Sequence, residues 1–112
     1  MSIRSLPPTV AEFEAHAAEA TAFLKLLANE RRLLVLCSLA ETKEASVNAL
    51  AQTVGLSQSA LSQHLAKLKD DGLVTFRREA QTLYYKVADP KVLRMLALLK
   101  NLFCPDFHNR SS

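Results

Sequence analysis

The side chains here with chemistry to offer are two cysteines, three histidines, and a cluster of polar and basic residues in the second half of the chain. Cys37 and Cys104 form no C-x-x-C pair, so the local signature of a thiol oxidoreductase is missing. Two readings stay open for them: small buried hydrophobes, or a redox-active pair. His16, His64 and His108 are scattered without ligand spacing, so no metal site is expected, and neither is a cofactor or a catalytic constellation. The third group is Gln58, Ser59, Ser62, Gln63, His64 and Lys67, followed by Arg77, Arg78 and Gln81. Glutamine can bond adenine edges, serine bases or phosphates, and Lys and Arg the phosphate backbone.

Those residues need elements to hold them. A T-x-x-E capping box at Thr9 and Glu12 predicts a first helix over residues 10–28, with Phe13, Leu24 and Leu27 as its apolar stripe. Asn29 caps a second helix running to residue 40, where the spacing of Leu33, Cys37 and Ala40 turns Cys37 inward. Ser46 caps a short third helix with Val47, Leu50, Ala51 and Val54 on one face, stopped by Gly55. Ser57 caps a fourth, over residues 58–71, with Leu61, Leu65 and Leu68 buried and Gly72 as its end. Residues 73–78 and 82–87 read as strands, with Glu79, Ala80 and Gln81 as a hairpin tip that lacks a glycine. Asp89 and Pro90 open a fifth helix to residue 103, apolar on more than one side and so buried on two, most simply against a second copy.

The third and fourth helices, joined by Gly55-Leu56-Ser57, have the pattern of a helix-turn-helix. Ala51 is small where the helices cross, Gly55 tolerates the turn, and Leu56 and Leu61 plug it. Gln58, Ser59, Ser62, Gln63 and Lys67 are left outward, with His64 at the boundary, concentrated toward a helix N-terminus whose free amides favour phosphate. The hairpin would lay Arg77 and Arg78 against adjacent backbone or minor groove. A polar helix face alone is more often merely solvated. The joint pattern of turn, helix and basic hairpin points to double-stranded DNA.

Bulk properties agree. A chain of 112 residues, 49% hydrophobic, has room for one globular domain, with residues 1–8 expected as a flexible arm and 105–112 as a flexible tail. Five cations (Lys67, Lys69, Arg77, Arg78, Lys86) face three anions (Asp70, Asp71, Glu79) between residues 57 and 86, whereas Arg4 stands against Glu12, Glu14 and Glu19 in residues 1–24. No signal peptide or membrane span is visible, so a cytoplasmic protein with reduced thiols is expected.

The segments Ala28-Asn29-Glu30-Arg31-Arg32-Leu33, Leu56-Ser57-Gln58-Ser59-Ala60-Leu61-Ser62-Gln63-His64-Leu65 and Asp71-Gly72-Leu73-Val74 closely resemble the ArsR family of winged-helix regulators, over about residues 15–104. The resemblance implies a mainly α fold of order α-α-α-α-β-β-α with a β-hairpin wing. It also implies a homodimer through the first and last helices, bound to imperfect palindromes. The family's metal sites find no match. No cysteine lies between Ser46 and Gln52, and Asp89 is followed by Pro90 and Lys91, with only His108 downstream. Cys37 and Cys104 are similar in position to the thiol pair of the BigR-, SqrR- and HlyU-like branch, which implies an oxidative link between them in response to reactive sulfur species. The expectation is a repressor switched by that pair. Its rivals are an activator that displaces a silencing protein, a metal-responsive repressor, a thiol oxidoreductase and a protein-interaction module.

Overall fold

The computed structural model describes residues 8–104. Residues 1–7 of the expected arm, the expected tail at 105–112 and His108 lie outside them. The chain forms α1 (Pro8–Glu14), α2 (Ala17–Leu27), α3 (Glu30–Thr42), β1 (Ala45–Ser46), α4 (Val47–Val54), α5 (Gln58–Asp70), β2 (Val74–Glu79), β3 (Thr82–Val87) and α6 (Pro90–Phe103). This is a winged helix-turn-helix, mainly helical with a β-hairpin wing.

Local chemistry sets most boundaries. Asn29, Ser46, Ser57 and Asp89 each accept a bond from a backbone N–H in the first turn of α3, α4, α5 and α6. Gly55, at φ 71° and ψ 35°, ends α4 in the left-handed conformation, and both its N–H and that of Leu56 donate to the Ala51 carbonyl. Leu61, Leu65 and Leu68 of α5 are fully buried. They join Leu36 and Leu39 of α3, Leu50 of α4 and Val92 and Leu96 of α6 in one core.

Three expectations are corrected. The first helix is two: the His16 N–H donates to Phe13 O, three residues back, closing α1, and the His16 carbonyl then accepts from Ala20 to start α2. Thr9 lies inside α1, which begins at Pro8, and does not cap it. Of the expected apolar stripe, Leu27 is buried, whereas Phe13 and Leu24 are more than half exposed. On α3 the core residues are Val35, Leu36 and Leu39, while Leu33, Cys37 and Ala40 lie half-buried at the core's edge. Third, the wing has a third strand. β1 pairs with β3 (Ala45 with Tyr85, Ser46 with Tyr84), giving an antiparallel sheet of order β1-β3-β2.

At the wing's tip Glu79 faces Thr82 across Ala80 and Gln81, and Ala80 takes φ 57° where a glycine would be unstrained. At the α2–α3 corner the Arg32 guanidinium donates to the Leu26 carbonyl at 2.8 Å, satisfying an acceptor at the end of α2.

Candidate nucleic-acid interface

Gln58, Ser59, Ser62, Gln63 and Lys67 are all exposed on α5, and His64 is half-buried. The helical period puts them there, because the opposite face is taken by Leu61, Leu65 and Leu68. Ser57 fixes where α5 starts. Its hydroxyl accepts from the Ala60 N–H at 3.1 Å, which satisfies one amide of the first turn and fixes the end of the helix that faces outward.

The N-terminal end of α5 does not stand alone. A cleft of ≈ 550 Å³ is lined by Ser46, Asn48, Gln58, Ser62, Gln81, Thr82 and Tyr84, among others. It brings together three predicted residues, Gln58 and Ser62 of the helix and Gln81 of the wing tip. Sequence reasoning missed Asn48 and Tyr84. Asn48 Oδ1 accepts from Gln58 Nε2 at 2.8 Å and so orients the first side chain of α5. An exposed amide two residues past a cap was the signal available for it.

The two wing arginines differ. Arg77 is tied down: Nε and Nη2 donate to the two carboxylate oxygens of Glu44, each at 2.9 Å, and Nη1 donates to Glu79 at 2.9 Å. Its guanidinium also stacks over the Tyr84 ring, 4.6 Å from the centroid. The hydrogen bond from Arg77, ahead of the opposing cost of desolvation, holds the Glu44 carboxyl below its ordinary value. Bonding to Glu44 and then Glu79 pushes the Arg77 pKa up, so its charge is permanent and locally neutralised. Arg78, next along β2, is exposed and has no ion-pair partner among the described residues. Lys69 lies over the Phe76 ring at 5.4 Å, joining the end of α5 to the wing.

Away from this surface, Cys37 and Cys104 are both free thiols, the first half-buried and the second exposed. Burial pushes the Cys37 thiol above its ordinary value; the Lys100 ammonium opposes this, and Cys104 adds to it, so the two thiols lie within electrostatic reach. Among the described residues no group of three or more His, Cys, Asp or Glu is gathered as a metal would need. No helix there is long and apolar enough to cross a membrane.

Comparison with known proteins gives this arrangement its family. The model of the bacterial regulatory proteins of the arsR family matches residues 29–75, from the cap of α3 into β2. The chain is 47% identical over 102 residues to the transcriptional activator HlyU of Vibrio cholerae, covering 91% of this chain and 94% of that protein. The crystal structure of HlyU from Vibrio vulnificus superposes with a TM-score of 0.79 at 50% identity, covering 86% of this chain and 99% of that one. That of the transcriptional repressor BigR from Xylella fastidiosa gives a TM-score of 0.78 at 34% identity, covering 83% and 94%. This chain belongs to the ArsR family of DNA-binding regulatory proteins and is a transcriptional regulator, not an enzyme.

Proposed function

We propose that the protein is a cytoplasmic homodimeric repressor that binds an imperfect palindrome in double-stranded DNA and is released when a Cys37–Cys104 dithiol is oxidised by reactive sulfur species. Gln58, Ser59, Ser62, Gln63 and His64 face base edges or nearby phosphates, Lys67 meets the backbone, and Arg78 and Gln81 reach from the wing. Arg77 positions the wing. The observation that carries the reading is the cleft where the start of α5 meets the wing tip, because it gathers donors and acceptors at a helix N-terminus. The dimer is supported by apolar side chains left outside on α2 and α6: Leu24, Leu93, Leu98, Leu102 and Phe103. The switch is supported by two free thiols on packed elements, one in α3 and one at the end of α6. A link between them would tie the DNA-reading half to the helix proposed for dimerisation and move the two recognition helices off the ~34 Å repeat they must match.

A second reading has support from a relative. The Vibrio cholerae protein is named an activator, and a protein with this same surface could activate by displacing a silencer. The deciding experiment is fluorescence anisotropy on the gene's own upstream DNA, before and after polysulfide. Tight binding, lost with sulfur and restored by a reductant, is expected for the wild type. Cys37→Ser should bind equally well and ignore sulfur. Binding by the wild type that is indifferent to sulfur would remove the switch and leave a constitutive regulator. Tight stoichiometric zinc that changes affinity would return the metal-responsive alternative.

A further inference from the structure

One helical turn from the two thiols stands a charge pair with no part in reading DNA. Lys100 of α6 is ion-paired with Glu41 of α3. Glu41 lies one helical turn beyond Cys37 on α3, and Lys100 one turn before Cys104 on α6. The pair therefore links α3 to α6 one turn from both sulfurs, beside a groove lined by Ala40, Leu93, Leu96, Ala97 and Lys100, among others. The groups whose charge reaches Cys37 from α6 are Lys100 and Cys104; its own helix contributes Glu41, through Lys100.

We infer that Lys100 is the positioning residue for closure of the Cys37–Cys104 link, its ammonium shared between the Glu41 carboxylate and the Cys37 sulfur as that sulfur becomes a thiolate. This rests on the dithiol reading above. Exposure sets the order of events. The Cys104 thiolate, on the outside, attacks a sulfur of a polysulfide; a new S–S bond forms, and the shortened polysulfide leaves with the electron pair of the broken bond. Cys104 is now a persulfide. The Cys37 thiol, half-buried, gives its proton to solvent and attacks Sγ of Cys104, expelling hydrosulfide. Two thiols have lost two electrons, and the polysulfide has supplied the sulfur that is reduced to sulfide. The second step needs a thiolate where burial disfavours one, and Lys100 is the cation that offsets that cost.

The test uses full-length reduced protein and inorganic polysulfide, with quenching by an alkylating agent and intact-mass detection of open adduct and closed link. Removing that cation raises the Cys37 pKa further and so lowers the thiolate fraction near neutral pH. The more basic thiolate is a better nucleophile, with a Brønsted slope of about 0.4–0.5, so each tenfold loss of thiolate slows closure by only about threefold. Lys100→Met should slow closure severalfold, accumulate the open Cys104 adduct and shift the pH profile of closure upward. Lys100→Arg should restore the rate and the pH profile, and Glu41→Gln, which removes a carboxylate that competes with sulfur for the ammonium, should speed closure. DNA affinity of all three reduced variants should match the wild type. Closure by Lys100→Met at the wild-type rate and pH profile would overturn the role of Lys100 while the dithiol switch stood. Failure of the wild type to link Cys37 to Cys104 would remove the switch itself, and this inference with it.

Discussion

Arg77 and Arg78 are neighbours in sequence but should behave differently on DNA, and salt dependence separates them. A cation that meets a phosphate releases counterions, and the slope of log affinity against log salt carries roughly 0.9 per phosphate neutralised. Arg78 is exposed and unpaired among the described residues, so Arg78→Gln in a dimer deletes two such contacts and flattens the slope by roughly 1.8. Between 50 and 200 mM salt, wild-type affinity should then fall about tenfold more than that of the variant. Arg77 spends its charge on Glu44 and Glu79 through three bonds, so Arg77→Gln should weaken binding by loosening the wing and leave the slope unchanged. Anisotropy titrations of the upstream duplex over that salt range measure both quantities. If Arg77→Gln flattens the slope as much as Arg78→Gln does, the carboxylates yield Arg77 to phosphate and the clamp is not a clamp. A change near 0.9 for Arg78→Gln would mean one wing engaged per duplex.

Ala80→Gly relieves a left-handed residue, a cost of roughly 1–2 kcal/mol, against the roughly 0.4–1 kcal/mol of unfolded-state entropy that glycine adds. The denaturation midpoint should rise, and a fall would show that the tip is not strained. Leu65→Ala empties a fully buried position and should cost about 2–5 kcal/mol in urea unfolding, with the transition still cooperative. The Glu44 carboxyl is held below its ordinary value of 4.5 by Arg77, so its stabilisation is complete above that pH and disappears as pH falls through the lowered value. Wild type and Glu44→Gln should therefore differ in unfolding midpoint near neutrality and converge in acid; parallel curves throughout would contradict the linkage.

What was legible in the sequence follows the range of the forces involved. The caps Asn29, Ser46, Ser57 and Asp89 act within three residues and could be read directly. So could the buried face of α5, which fixes its polar face by periodicity. The break at His16 could not, because no glycine or proline marks it in an alanine-rich stretch. Neither could β1, two residues long and held only by a strand some forty residues later. The clamp of Glu44 on Arg77 spans 33 residues, and reading β2 alone made Arg77 look as available as Arg78. On α3 the spacing of Leu33, Cys37 and Ala40 turns Cys37 inward, but Val35, Leu36 and Leu39 fill the core and leave Cys37 half-buried at its edge, a choice that only packing makes.

Ser46 belongs to two structures at once. Its backbone pairs with Tyr84 in the sheet, while its hydroxyl caps α4. The wing and the helix pair thus share a residue and have no joint between them, so a push on one is delivered to the other without slack. A signal arriving from the far side of the molecule can tilt or carry this head as a single tool, whereas folding the wing away would break the β1–β3 pairing beside the α4 cap. In the dimer proposed above, control would then act on where the heads are held more than on what shape they take.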